Sequence, residues 1–232
     1  MHARVAVIGA SGYSGVELTK LLAGHPSVEL VVASSDRWVG ESVAARTGVK
    51  SGLRYLTVEA AVEQARQCDA VLLATPAEAS HELVPALAEH TRVVDLSGAY
   101  RLKNLSQYER YYGFAHRHVE LLKRAVYGLP ELYRERIHGA RLVANPGCYA
   151  TAIQLALAPL VGKAVDVPPE GRIIVDAMSG VTGAGRKAAE EWSFAEIAGD
   201  VRAYRVLRHQ HEPEIEQSLD ELAGRAIDIT FV

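Results

Sequence analysis

Residues 9–15 read Gly9-Ala10-Ser11-Gly12-Tyr13-Ser14-Gly15, and this string decides the fold. Before it stands the short apolar run Arg4–Ile8, which predicts a strand that stops at a glycine. After it, Val16, Leu18, Leu21 and Leu22 recur at helical spacing through Ser14–Ala23, until Gly24 and Pro26 end the helix. A strand, a glycine-rich turn and a helix in that order form the place where a dinucleotide pyrophosphate binds. The glycines let the backbone approach, and the helix N-terminus offers N–H groups and the positive end of its dipole. The spacing is G-x-x-G-x-x-G, one residue longer than the common fingerprint. The string also reads as an ordinary tight turn; a second strand at the right distance, Val28–Ser34, favours the dinucleotide. Candidate cofactor contacts are Gly9, Ser11, Gly12, Tyr13, Ser14 and Gly15.

Working outward, the pattern repeats. A helical stretch Val58–Gln67 leads to strand Ala70–Thr75, and helix Ala79–Glu89 leads to strand Arg92–Leu96. Apolar strands separated by helices imply a parallel sheet with both faces covered. The segment 100–128 is rich in Tyr, Arg and His without clear periodicity, and reads as a partly buried surface cover. Strand Arg141–Ala144, helix Thr151–Val161, strand Arg172–Met178, helix Pro213–Leu222 and a closing strand Ala226–Val232 follow. The expectation is an α/β chain: a Rossmann-type parallel sheet domain over residues 1–145, then an α+β catalytic domain over 146–232, incomplete at its end.

Composition narrows the function. The chain has 232 residues, 49% hydrophobic and 23% charged, enough for a sizeable core and against disorder. A formal net charge of −3 argues against nucleic-acid binding, which needs a basic surface. No apolar run approaches the roughly 20 residues of a membrane span, and the first residues lack the pattern of a signal peptide. Two cysteines far apart, Cys68 and Cys148, make a disulfide framework improbable and fit a reducing cytoplasm.

Several strings carry chemistry. At the end of the second strand, Ser34, Ser35 and Arg37 suit a 2′-phosphate and favour NADP, against Asp36, which suits the ribose hydroxyl of NAD. Cys148 follows a strand and the turn Asn145-Pro146-Gly147, and starts a helix, where the dipole favours a thiolate nucleophile. Cys68 lacks these features and reads as structural. Ser179-Gly180-Val181-Thr182-Gly183-Ala184-Gly185-Arg186 follows a strand and offers backbone N–H groups, hydroxyls and an arginine to a phosphate, a carboxylate or a nicotinamide amide. His209-Gln210-His211-Glu212-Pro213-Glu214 precedes a helix. No third ligand cluster accompanies the two histidines, so acid–base work is favoured over metal binding, with Glu214 placed to hold His211. Ser97 and Arg101 follow the strand Arg92–Leu96, at the ligand-binding edge of such a sheet, and Arg101 either clamps a substrate anion or forms a structural ion pair.

These strings occur together and in order, joined by Tyr127-Gly128-Leu129-Pro130-Glu131-Leu132. The chain resembles the N-acetyl-gamma-glutamyl-phosphate reductases of arginine biosynthesis, in the aspartate-semialdehyde dehydrogenase-like superfamily, over nearly its whole length. The resemblance implies NADPH-dependent reduction of an acyl phosphate to a semialdehyde through a thioester on Cys148. It implies an acid–base histidine, His211 or His209, of which Glu214 favours the former. It implies that Ser97, Arg101, Asn145, Gly183 and Arg186 meet the substrate, that Ser179 and Gly180 meet the cofactor, and that the protein forms a homo-oligomer, a dimer or tetramer, through its second domain. No metal is expected.

The chain departs from the family pattern at Ala150, where proline is usual, at Gln210, where arginine is usual, and at Gly98-Ala99-Tyr100-Arg101, where Ala-Asp-Phe-Arg is frequent. Family chains continue past the strand at 227–232, so a fragment or a truncated frame is expected. Three rival readings remain open. One is the sister reductase acting on an aminoadipyl phosphate in lysine biosynthesis, and another is aspartate-semialdehyde dehydrogenase. The third is an inactive NADP-binding protein.

Overall fold

The computed structural model describes residues 2–161 and 172–232. Strand β1 (Ala3–Ile8) runs into helix α1 (Tyr13–Ala23), followed by β2 (Val28–Ala33), α2 (Val43–Thr47), α3 (Val58–Ala65), β3 (Ala70–Leu73), α4 (Ala77–Ala88) and β4 (Arg92–Asp95). Then come α5 (Ser106–Tyr112), α6 (Val119–Arg124), β5 (Val126–Tyr127), α7 (Pro130–Ile137), β6 (Leu142–Ala144) and α8 (Cys148–Pro159). The remainder supplies β7 (Ile173–Val175), α9 (Phe194–Ile197), α10 (Glu212–Ala223) and β8 (Ile229–Phe231).

Six strands form one parallel sheet in the order β2-β1-β3-β4-β6-β5. The chain goes to one side of β1 for β2 and to the other for β3. The crevice at the carboxyl ends of β1 and β3 is therefore the topological switch point, where such sheets take ligands. Alternation along the strands feeds two cores. Ala6, Ile8, Val71, Leu73 and Val93 join one cluster, while Val7, Val16, Ala33, Trp38, Val43 and Tyr55 form the other, against α1.

A second, two-stranded parallel sheet pairs β7 with β8 through Ile173–Ile229, Ile174–Thr230 and Val175–Phe231. Tyr149, Ala150 and Ile153 of α8 pack with Ile215 and Leu219 of α10 and with Ile229 and Phe231 of β8. The opposite side is open: Ile174 is 74% exposed, and Phe194 and Val201 on the long connection to α10 are more so. No helix among the described residues is long and apolar enough to cross a membrane.

Two differences from the sequence reading stand out. The region 100–128, expected as a partly buried surface cover, is partly buried, with most of its charged residues exposed, but two of its tyrosines belong to the sheet core. Tyr100 and Tyr108 are buried, and the Tyr108 hydroxyl donates to the Leu102 carbonyl at 3.1 Å. The aromatic residues there pack a sheet face, and their short helices are held by tertiary contact, not by periodicity. Strand β5 was not anticipated. It is two residues long and exists only because β6 lies beside it, pairing Val126 with Val143 and Tyr127 with Ala144.

Candidate active site

The chemistry of the sequence strings converges on two turns. The first is the glycine-rich turn after β1. Gly12 caps α1 with φ −67° and ψ 166° and no side-chain hydrogen bond, so the first N–H groups of the helix are left open. Gly15 is where the turn closes on itself: a Cβ there would stand 2.3 Å from the Gly9 carbonyl oxygen. Tyr13 is 42% exposed, Ser14 is exposed and Ser11 is half-buried, so the rim is accessible. An uncapped helix start with an accessible rim, at the switch point, fits a dinucleotide pyrophosphate.

At the end of β2 the structure parts from the expectation. Ser34 is buried, and its hydroxyl accepts the Gly9 N–H at 3.2 Å. Ser35 is also buried, accepting the Trp38 N–H at 3.1 Å. Both hydroxyls are thus consumed in shaping the turn. Asp36 accepts the Val58 N–H at 3.3 Å, at the start of α3. Arg37 is exposed and makes no hydrogen bond among the described residues to hold it in the turn.

The second turn joins β6 to α8. Gly147 caps α8 with φ −69° and ψ 158°, again with no side-chain cap, and Cys148 is exposed at the first helical position. A Cβ at Gly147 would stand 2.2 Å from His211 Nε2, so the imidazole lies directly on the residue before the thiol. His211 caps α10 and is buried. Its Nδ1 has no partner, and burial together with Arg101 and Arg205 pushes it down to about 3. His209 differs. Its Nδ1 accepts the His211 N–H at 3.1 Å, and its Nε2 meets the Tyr204 hydroxyl at 3.3 Å. Burial and the neighbouring His211 push it down to about 4. Both ring nitrogens of His209 are committed, whereas His211 keeps its ring free toward the Cys148 turn.

Glu214 and Arg101 are brought together, but not as expected. Glu214 is fully buried and does not hold His211. One oxygen accepts the Tyr127 hydroxyl at 2.6 Å and the Gly147 N–H at 2.8 Å; the other takes Arg101 Nη1 at 3.4 Å. Arg101 also donates to the carbonyls of Asn145 and Leu96, each at 2.7 Å. Its fork is spent inside the protein, tying the ends of β4 and β6 to α10. Ser97 is likewise occupied, its hydroxyl donating to Asp95 at 2.8 Å. Asn145 donates to the Pro146 carbonyl at 3.1 Å. Sequence reasoning gave Tyr127 no role beyond its place in the string Tyr127–Leu132 and missed Gln154; the amide of Gln154 donates to the Tyr127 hydroxyl at 3.0 Å and to the Glu214 carbonyl at 3.2 Å. A glutamine in the middle of the otherwise apolar α8 was the available signal.

Ser179, Gly180 and Gly183 are exposed around the 3₁₀ turn Val181–Ala184. Arg186 leaves that turn and stacks on Tyr13 and Trp38 of the first domain. Among the described residues, His81, Glu82 and His118 form the group with metal-ligand spacing. There, however, His81 Nε2 accepts the Arg117 N–H at 3.1 Å, which leaves the ring proton on Nδ1, toward Glu82. That tautomer blocks Nδ1 as a ligand.

Comparison with known proteins gives the chain a family. A family profile described as the NAD binding domain of semialdehyde dehydrogenase matches residues 4–140, and one described as the semialdehyde dehydrogenase dimerisation domain matches 148–232. The chain is 46% identical to the N-acetyl-gamma-glutamyl-phosphate reductase of Symbiobacterium thermophilum, over 100% of this chain and 67% of that protein. It is 44% identical to the same-named reductase of Magnetococcus marinus, over 98% of this chain and 66% of that one. A probable chloroplastic reductase of that name from Arabidopsis thaliana is 44% identical over 98% of this chain and 57% of its own length. The chain thus spans about two thirds of the bacterial relatives, and less of the plant protein. Among solved structures, aspartate semialdehyde dehydrogenase II from Vibrio cholerae, in complex with ASA, superposes with a TM-score of 0.69 at 18% identity, covering 100% of this chain and 70% of that one. The Candida albicans aspartate semialdehyde dehydrogenase with NADP gives 0.65 at 15% identity, over 100% and 67%. At these identities the likeness is one of fold.

Proposed function

The chain belongs to the semialdehyde dehydrogenase family and, within it, to the N-acetyl-gamma-glutamyl-phosphate reductases; from that premise we propose that it reduces N-acetyl-gamma-glutamyl phosphate to the semialdehyde and phosphate, using NADPH. One observation carries the proposal: an exposed cysteine at an uncapped helix start, with a buried, uncommitted imidazole packed on the glycine before it.

The Cys148 sulfur attacks the acyl carbon, the carbon–oxygen bond to phosphate breaks, and a thioester remains. His211 Nε2 receives the thiol proton. A bound nicotinamide supplies the hydride that brings the thioester to the aldehyde level. The oxyanion left by hydride addition re-forms the carbonyl as the carbon–sulfur bond breaks, and His211 returns its proton to the departing Cys148 sulfur, releasing the semialdehyde and restoring the thiol. The N–H groups of Cys148 and Tyr149 are the oxyanion donors. The Gly147 N–H is excluded from that role because it donates to Glu214. Arg101, Glu214 and Tyr127 position the two helix starts, and a phosphate-bearing substrate at the exposed Cys148 raises the proton affinity of His211 from its depressed value.

NADPH over NADH rests on Asp36 being turned to Val58 and on Arg37 being free for a 2′-phosphate. The matched dimerisation domain supports a homo-oligomer. We place the domain division at 145/146, and the location in the cytoplasm, where both cysteines stay reduced.

The test is phosphate-dependent NADP reduction with N-acetylglutamate semialdehyde, on wild type and Cys148→Ser. Turnover by wild type alone is expected. Full activity in Cys148→Ser would refute the thioester route, and preference for the aminoadipate semialdehyde would transfer the assignment to the lysine branch. Binding of NADPH with no turnover of either substrate would leave a nucleotide-binding protein.

A further inference from the structure

Arg186 reaches out of the part of the chain that carries it. Its guanidinium carbon lies 4.5 Å from the centre of the Tyr13 ring and 5.5 Å from that of Trp38. Tyr13 opens α1 at the glycine-rich turn, and Trp38 follows Arg37 just beyond β2. A side chain from the loop after β7 therefore spans the pyrophosphate turn and the strand end where the adenosine ribose of a dinucleotide sits. The Trp38 ring also carries Arg46, at 5.1 Å, but Arg46 is paired with Glu41. Arg186 has no carboxylate partner among the described residues, and its Nε is shielded from solvent without an acceptor.

Stacking satisfies the flat faces of a guanidinium and leaves its edge donors unsatisfied. A shielded donor with no acceptor is unfavourable, and the positive end of the α1 dipole adds charge of the same sign. An anion removes both penalties. The cofactor offers two, the pyrophosphate and the 2′-phosphate. The pyrophosphate already has the open N–H groups of α1. The 2′-phosphate has lost the partners expected from the sequence, since Ser34 and Ser35 are buried and bonded within the turn.

We propose that Arg186 is a specificity-determining residue: held on Tyr13 and Trp38, it joins Arg37 in binding the 2′-phosphate, so the choice of NADPH over NADH is made in part by the second half of the chain. This rests on the NADPH reading above and moves Arg186 from the substrate, where the sequence had it, to the cofactor.

The test is direct titration of the full chain with NADPH and with NADH, following nicotinamide emission and tryptophan quenching, with no substrate present. Arg186→Gln is expected to weaken NADPH by about tenfold or more and NADH by less than about twofold. Arg37→Gln should show the same selective loss. Arg186→Lys keeps the charge but not the planar fork, and should fall between wild type and Arg186→Gln; it also serves if the glutamine variant does not fold. Equal losses for both nucleotides would assign Arg186 to the pyrophosphate or to the fold, and no loss for either would leave it no cofactor role; both overturn the inference. A wild type that prefers NADPH while Arg186→Gln keeps that preference sinks the inference alone. A wild type that binds both nucleotides equally sinks the NADPH reading with it.

Discussion

The two turns that make this site have nearly the same backbone and opposite fillings. Gly12 and Gly147 each end a strand-to-helix connection, with φ of −67° and −69° and ψ of 166° and 158°, and neither helix has a side-chain cap. After β1 the N–H groups are left to a ligand. After β6 the Gly147 N–H is taken by Glu214, a carboxylate the protein brings 67 residues along the chain, and His211 closes over the glycine. One device thus serves two purposes: unfilled, it holds a bound anion; filled from within, it fixes a nucleophile beside an imidazole.

The largest effect expected on the second turn alone is that of Cys148→Ser, a loss of at least about 10³ in kcat. Because Cys148 is exposed, the melting temperature and the Kd for NADPH should stay near wild type; a parallel loss of nucleotide binding would mean that the turns are not separable. Next comes Glu214→Gln, which leaves Arg101 buried without its counter-charge. A loss of about 3 kcal/mol in denaturant unfolding is expected. A neutral result would mean that the filling is not what holds the turn.

Exchanging the two histidines for asparagine sharpens the comparison within the turn. His211→Asn should lower kcat by about a hundredfold, while His209→Asn, which keeps an acceptor for the His211 N–H, should cost less than about fivefold. The reverse order would make His209 the acid–base group. A smaller contrast comes from the caps themselves. Gly147→Ala drives a methyl into His211 and should reduce kcat by about tenfold. At Gly12 the nearest atom to an added Cβ is the Gly9 carbonyl oxygen at 3.9 Å, so Gly12→Ala should fold normally and change only the nucleotide Kd. Equal effects on kcat would erase the distinction between the turns.

The smallest effect is in pH. His209 and His211 take protons at about 4 and about 3 when folded, but near 6.5 when unfolded. The unfolded chain therefore binds more protons between pH 6.5 and these values, and stability falls as the pH drops through that window, by up to about 1.4 kcal/mol per unit for each histidine. Glu216, raised to about 7 by burial and by Glu212, Asp220 and Asp228, works in the opposite sense. The telling measurement is thus the difference in slope between wild type and His211→Asn, in melts from about pH 7 to pH 5. The variant should be the flatter; identical slopes would show that His211 is not buried as neutral imidazole.

Sequence patterning gave away the first turn and most of the sheet, because strand, glycine and helix alternate over short distances. It also placed Cys148 at a helix start. What it could not give were the long-range partners. Glu214 stands three residues from His211 and reads as its natural partner, yet the helix turns its carboxylate toward Gly147 and Tyr127. Arg101 and the hydroxyls of Ser34 and Ser35 read as ligand contacts because charge and polarity are visible in a sequence, whereas burial is not. Strand β5 and helices α5 and α6 were missed because each is too short for its periodicity to register.

The two cysteines lead very different chemical lives. Cys68 sits in the sheet core, where burial pushes its thiol up, and Cys148 is exposed. The protein is therefore its own counting reagent: an alkylating or disulfide-exchange probe should consume one equivalent per folded chain and a second only on unfolding. The first equivalent measures the concentration of intact catalytic sites, and the ratio of the two gives the fraction of any preparation that is correctly folded.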